Sequence, residues 1–73
     1  MEKFSITIAS LPDRERLVAE ISYEGVQWAE ISEETEDELI IQFYSHPREK
    51  YWEFEFEEAV KILEQAKNEL LEL

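Results

Sequence analysis

The stretch YWEFEFEEAVKILEQAKNELLEL, residues 51–73, changes its hydrophobic period partway along, and that change sets the fold expectation. Trp52, Phe54 and Phe56 alternate with Tyr51, Glu53 and Glu55, the period of two of a strand with one buried face. Beyond Phe56 the apolar residues Ala59, Leu63, Ala66, Leu70 and Leu73 recur at steps of four and three, widened by Val60 and Ile62. Lys61, Glu64 and Asn68 fall on the other side. No Gly or Pro interrupts this segment, and Glu57 precedes Lys61 by four residues, the favourable order for an ion pair on a helix. A helix with one polar face needs an apolar surface to lie on, and a sheet is the economical supplier.

Upstream, the strands are legible by alternation. Phe4, Ile6 and Ile8 alternate with Ser5 and Thr7, then Leu17, Ala19 and Ile21 mark a second strand. Tyr23-Glu24-Gly25 reads as a three-residue hairpin with the only glycine of the chain at a position of positive φ, and residues 26–31 return, with Trp28 on one face and Ala29 and Ile31 distributed across both by a local bulge. Leu39, Ile41 and Phe43 mark a further strand, with Ile40, Gln42 and Tyr44 pointing the other way. Residues 32–37 and 45–50 read as polar connections, and Pro47 in the second lacks the N–H that pairing requires. Pro12 and Asp13 predict a loop over 9–15, with a short helical segment capped by Ser10 as the alternative.

The expectation is one acidic α+β domain over residues 1–73. Its two layers are a four- or five-stranded, mainly antiparallel sheet and one C-terminal amphipathic helix. Phe4, Ile6, Leu17, Leu39, Ile41, Phe43, Trp52, Phe54, Leu63 and Leu70 are the expected core. A chain of 73 residues has material for one core and not two.

Composition narrows the partners. Seven Lys and Arg stand against nineteen Asp and Glu, a net charge of -12, which opposes direct contact with nucleic acid or an anionic membrane. A basic protein is the partner that this field attracts. The chain has no Cys, so disulfide, thiolate and cysteine-ligated metal chemistry are excluded. No run approaches a membrane span and the N-terminus lacks a basic-then-apolar leader, so the expected location is cytoplasmic.

No arrangement of residues points to catalysis, a cofactor or a metal. His46 is the only histidine and lies beside Pro47 in an expected turn. Ser45 next to it does not supply the spatial partners that a base and nucleophile need. Glu30, Glu33, Glu34, Glu36, Asp37 and Glu38 crowd one stretch, without the alternating donors and central glycine of a calcium loop. Glu53 and Glu55 share a sheet face by the period of two, yet a chain this short builds no deep walls around a substrate.

If Leu39, Ile41, Phe43, Trp52 and Phe54 face the helix, alternation gathers Trp28, Ile40, Tyr44 and Tyr51 on the opposite face, with Glu20, Glu30, Glu53 and Glu55 around them. Aromatic anchors in a charged rim are what protein interfaces commonly use.

Residues 17–31, LVAEISYEGVQWAEI, and 39–71, LIIQFYSHPREKYWEFEFEEAVKILEQAKNELL, resemble small bacterial proteins of uncharacterised function. The most distinctive parts are Gln27-Trp28-Ala29-Glu30-Ile31 and Trp52-Glu53-Phe54. The resemblance implies a compact bacterial domain and carries over no catalytic residue.

Three functions compete. The first is a noncatalytic acidic protein-binding module, such as an inhibitor or immunity-type protein that masks a basic enzyme. The second is a structural homo-oligomerising domain that self-associates through an open sheet face or an unprotected strand edge. The third is a small carboxylate-based or metal-dependent enzyme, which requires Glu20, Glu30, Glu53 and Glu55 to converge in a pocket.

Overall fold

The computed structural model describes residues 3–12, 16–35 and 38–72, which form a four-stranded antiparallel sheet followed by one helix. Strands β1 (Phe4–Ala9), β2 (Val18–Tyr23), β3 (Val26–Thr35) and β4 (Glu38–Phe43) lie side by side in chain order, and α1 spans Phe56–Leu71. The two-layer α+β architecture is as expected, with four strands. Leu73 and Asp13 lie outside the described residues, so the end of the expected helical stripe and part of the 9–15 loop are not described. Ser10, Leu11 and Pro12 are not helical.

The β1–β2 ladder sets Phe4 opposite Tyr23, Ile6 opposite Ile21 and Ile8 opposite Ala19, which gathers one apolar face. The hairpin from β2 to β3 closes through two residues and not three. Tyr23 pairs with Val26, while Glu24 and Gly25 take φ 49° and φ 82°. Positive φ at both central positions is the type I′ turn, whose twist matches that of the strands it joins. A Cβ at Gly25 would meet nothing within 4 Å, so a side chain there costs backbone strain alone. Gly25→Ala is therefore expected to lower stability by about 1 kcal/mol and Tm by about 4–8 °C. An unchanged melting curve would contradict this turn geometry.

One residue of β3 has no counterpart on β2. Ile21 faces Ala29 and Ser22 faces Gln27, which leaves Trp28 as the extra residue of a β-bulge. The bulge sends Trp28 to the same side as Ala29, into a ring cluster with Phe4, Phe43 and Phe54 at centroid distances of 5.9, 5.5 and 4.7 Å. β3 then runs through Thr35, into residues expected to be a connection, and Ser32 is buried.

α1 turns Ile62, Ala66 and Leu70 onto Ala19, Ile21, Ala29 and Ile31, with Ala59 and Leu63 at the margin. Ala19, Ala29 and Ala66 are fully buried, and such small side chains let helix and sheet approach closely. The Glu55 carboxylate caps the helix by accepting the N–H of Glu57 at 2.9 Å and of Glu58 at 3.2 Å. This satisfies two donors that the first turn otherwise leaves unpaired, and sets a negative charge at the positive end of the helix dipole.

The expected strand over Trp52, Phe54 and Phe56 is absent. Residues 44–55 are irregular, and Phe56 is the exposed first residue of α1. Their alternation reflects packing without pairing. Trp52 and Phe54 turn inward, Phe54 against Phe4 and Tyr23 at 5.0 Å each, while the segment makes its own hydrogen bonds. Trp52 Nε1–H donates to the Tyr44 carbonyl at 2.8 Å. The His46 Nδ1 accepts the N–H of Arg48 and of Glu49 at 3.0 and 3.1 Å. His46 thus organises a turn, with its ring tilted at 56° against that of Trp52, the centroids 4.5 Å apart.

Candidate functional site

One helix cannot cover this sheet. Four strands at about 4.8 Å spacing span roughly 14 Å between the outermost axes, while a helix with its side chains is only about 10–12 Å across. α1 lies over β2 and, to a lesser extent, β1. The helix-facing side of β4 is consequently bare. Leu39, Ile41 and Phe43 pair with Glu33, Ile31 and Ala29 and so point to the helix side, yet they are 38%, 42% and 58% exposed. These three, with Leu17, are the expected core residues that the structure places at the surface. Val18, Ala19, Ile21, Trp28, Ala29 and Ile31 take their place inside.

The bare strand is the floor of a groove of about 220 Å³, lined by Ile31, Leu39, Ile40, Ile41, Leu63, Glu64 and Lys67. Its wall is a second apolar flank of α1. At 3.6 residues per turn, Phe56, Val60, Leu63 and Leu71 fall within about 80° of arc, next to the stripe that meets the sheet, with Lys67 inside the same arc. Phe56 and Leu71 are exposed, and Val60 and Leu63 are partly buried. Floor and wall make an apolar corner. β4 is also an edge strand, with no strand on its outer side among the described residues. The sequence signal for the wall was present in the added Val60 but was absorbed into the expected core stripe.

The residues expected to share the opposite face divide into several places. Trp28 is buried on the helix side, 7% exposed, because the bulge reverses its parity. Ile40 lies by register on the face away from the helix, opposite Ser32, and also borders the groove. Glu20 and Glu30 are cross-strand partners on that face, and Glu30, only 3% exposed, accepts the Tyr44 hydroxyl at 3.0 Å. Tyr44 is thereby tied to the sheet. Tyr44→Phe is expected to cost about 1 kcal/mol, the usual net worth of such a bond, read as a lower urea midpoint with unchanged slope. No change in midpoint would show that this bond does not hold Glu30.

Tyr51 and Glu53 sit away from these, in residues 44–55, where they line a hollow of about 240 Å³ with Tyr23, Val26, His46 and Arg48. Glu55 is the helix cap. Of the four carboxylates, Glu20 and Glu30 are neighbours on the sheet, while Glu53 lines the hollow and Glu55 caps the helix. Among the described residues no three His, Cys, Asp or Glu side chains gather as metal ligands.

No family model, curated protein or solved structure matches the chain. The corner must be interpreted from its own chemistry. It is apolar and open, with one Glu and one Lys on its lining and no cluster of groups to move a proton or hold an ion. Such a surface can bury area against another polypeptide. Among the described residues, no helix is long and apolar enough to cross a membrane.

Proposed function

We propose that this chain is a noncatalytic protein-binding module whose contact surface is the apolar corner between β4 and α1. The observation that carries the reading is the exposure of Leu39, Ile41 and Phe43 on the side of the sheet that the helix is there to cover. A contiguous apolar surface with a polar surround is the usual mark of an interaction site. The face away from the helix supports binding less well, since Trp28 is inside the core and Tyr44 is engaged with Glu30. Absence of Cys suits a cytoplasmic setting.

The net charge of -12 favours a second reading, an inhibitor or immunity-type protein for a basic partner. The field would raise the encounter rate with a basic protein, and that attraction would fall as salt screens it. The two readings separate on which change breaks the complex. Pull-downs with the wild-type chain and with Ile41→Lys, each in low and high salt, are the test. Loss of partners on Ile41→Lys at both salt concentrations supports the corner. Partners that survive Ile41→Lys and disappear only with salt would overturn the corner in favour of the acidic surface.

A further inference from the structure

We infer that the outer edge of β4 and the groove beside it take an extended, apolar and basic segment of another protein, added to the sheet as a further strand. The inference rests on the protein-binding reading above and deepens it by naming the partner's chemistry and the way it binds.

The Tyr44 N–H donates to the Trp28 carbonyl at 2.8 Å, which continues by one pair the register that sets Phe43 opposite Ala29. In an antiparallel ladder, residues that exchange bonds with the partner strand alternate with residues whose N–H and C=O point away from it. Tyr44, Gln42 and Ile40 therefore bond toward β3, and the N–H and C=O of Leu39, Ile41 and Phe43 point outward. No strand lies on that side among the described residues.

The same three residues carry the exposed apolar side chains on the helix side of β4. Ile40 leaves the other face of the strand and still borders the groove, so the groove reaches the rim of β4. Open backbone and apolar lining are thus contiguous. An extended polypeptide satisfies both, since its N–H and C=O groups recur at the spacing of the strand edge and every second side chain drops beside Leu39, Ile41 and Leu63. The edge at β1 lacks this combination. There Phe4 is buried, and Ile6 and Ile8 are packed against the core.

Charge sets the rest of the segment. The chain carries -12, and the exposed Glu34 and Glu38 flank the Leu39 end of β4. Within the groove, Glu64 and Lys67 are one of each sign. The fitting segment is apolar where it enters the groove and basic where it passes the Leu39 end. A second copy of this chain brings a further -12 and is repelled.

The probe is a short peptide with blocked ends, valine alternating with threonine and two lysines following, titrated into the full isotope-labelled chain while amide hydrogen exchange is followed by residue. Exchange at Leu39, Ile41 and Phe43 is expected to slow by about ten-fold or more, and exchange at Ile40 and Gln42, already bonded to β3, to change little. Ile41→Lys, shown to fold by circular dichroism, should abolish this protection. Two further peptides carry backbone N-methyl groups on alternate sets of residues. The set that faces β4 should weaken binding by about ten-fold or more, and the other should leave it intact. Equal binding of the two, or binding that leaves the three amides unprotected, overturns strand addition. Equal binding of a peptide with glutamates in place of the lysines overturns the basic partner. Protection that rises with protein concentration and needs no peptide would make a second copy the occupant and overturn the proposal. Failure of the lysine peptide to bind at about 1 mM also overturns strand addition, while the Ile41→Lys pull-downs decide the corner itself separately.

Discussion

Trp28→Ala is expected to lower the unfolding free energy by about 3–5 kcal/mol, the usual range for deleting a large aromatic side chain from a core. A domain of this length has roughly 4–11 kcal/mol in total, so the variant should be close to unfolded at 37 °C. The size of the effect follows from the bulge. Trp28 is the residue that the β2–β3 ladder skips, and its ring fills the space between Phe4, Phe43 and Phe54. Removing it takes a contact from all three rings, and the surrounding backbone is held by pairing on either side and cannot close the void. Chemical denaturation followed by circular dichroism reads the loss. A change under about 1 kcal/mol would place the side chain at the surface and contradict the bulge.

Ile21→Ala and Ile41→Ala should differ several-fold, although both residues point to the helix side of the sheet. Ile21 is fully buried beneath α1 and should cost about 2–5 kcal/mol. Ile41 is 42% exposed on the uncovered strand, so its truncation should cost no more than about 1 kcal/mol, measured at concentrations where the chain is monomeric. Parallel urea titrations give the comparison. Equal losses would mean that the helix, or something in its place, covers β4 in the single chain.

That pair also shows how far periodicity reaches. Alternation tells which face of a strand a residue occupies, and it assigned Ile21 and Ile41 to the same face. Whether that face is covered depends on the width of what lies over it, which no local pattern contains. Trp28 illustrates a different gap. A bulge was expected in residues 26–31, but which residue is the extra one, and so the side that Trp28 takes, depends on the partner strand as much as on the strand itself. In residues 44–55 the alternation of Trp52 and Phe54 was real, and both turn inward. It arises from a segment packed across the aromatic cluster, with hydrogen bonds to Tyr44 and His46 in place of a ladder.

Other features were legible in outline. The sheet came from the alternation upstream of residue 44, the C-terminal helix from the helical period beyond Phe56, and the positive φ at Gly25 from its place between two apolar runs. The acidic composition identified the kind of protein that the field attracts, but the apolar corner arises only when a narrow helix is laid on a wider sheet.

The most direct test of the corner is methyl relaxation by a soluble paramagnetic probe, at concentrations where the chain is monomeric. The methyl groups of Leu39 and Ile41 on the floor are expected to relax strongly and those of Ile21, beneath the helix, to be shielded. Methyl groups of Leu39 and Ile41 as shielded as those of Ile21 would contradict the account.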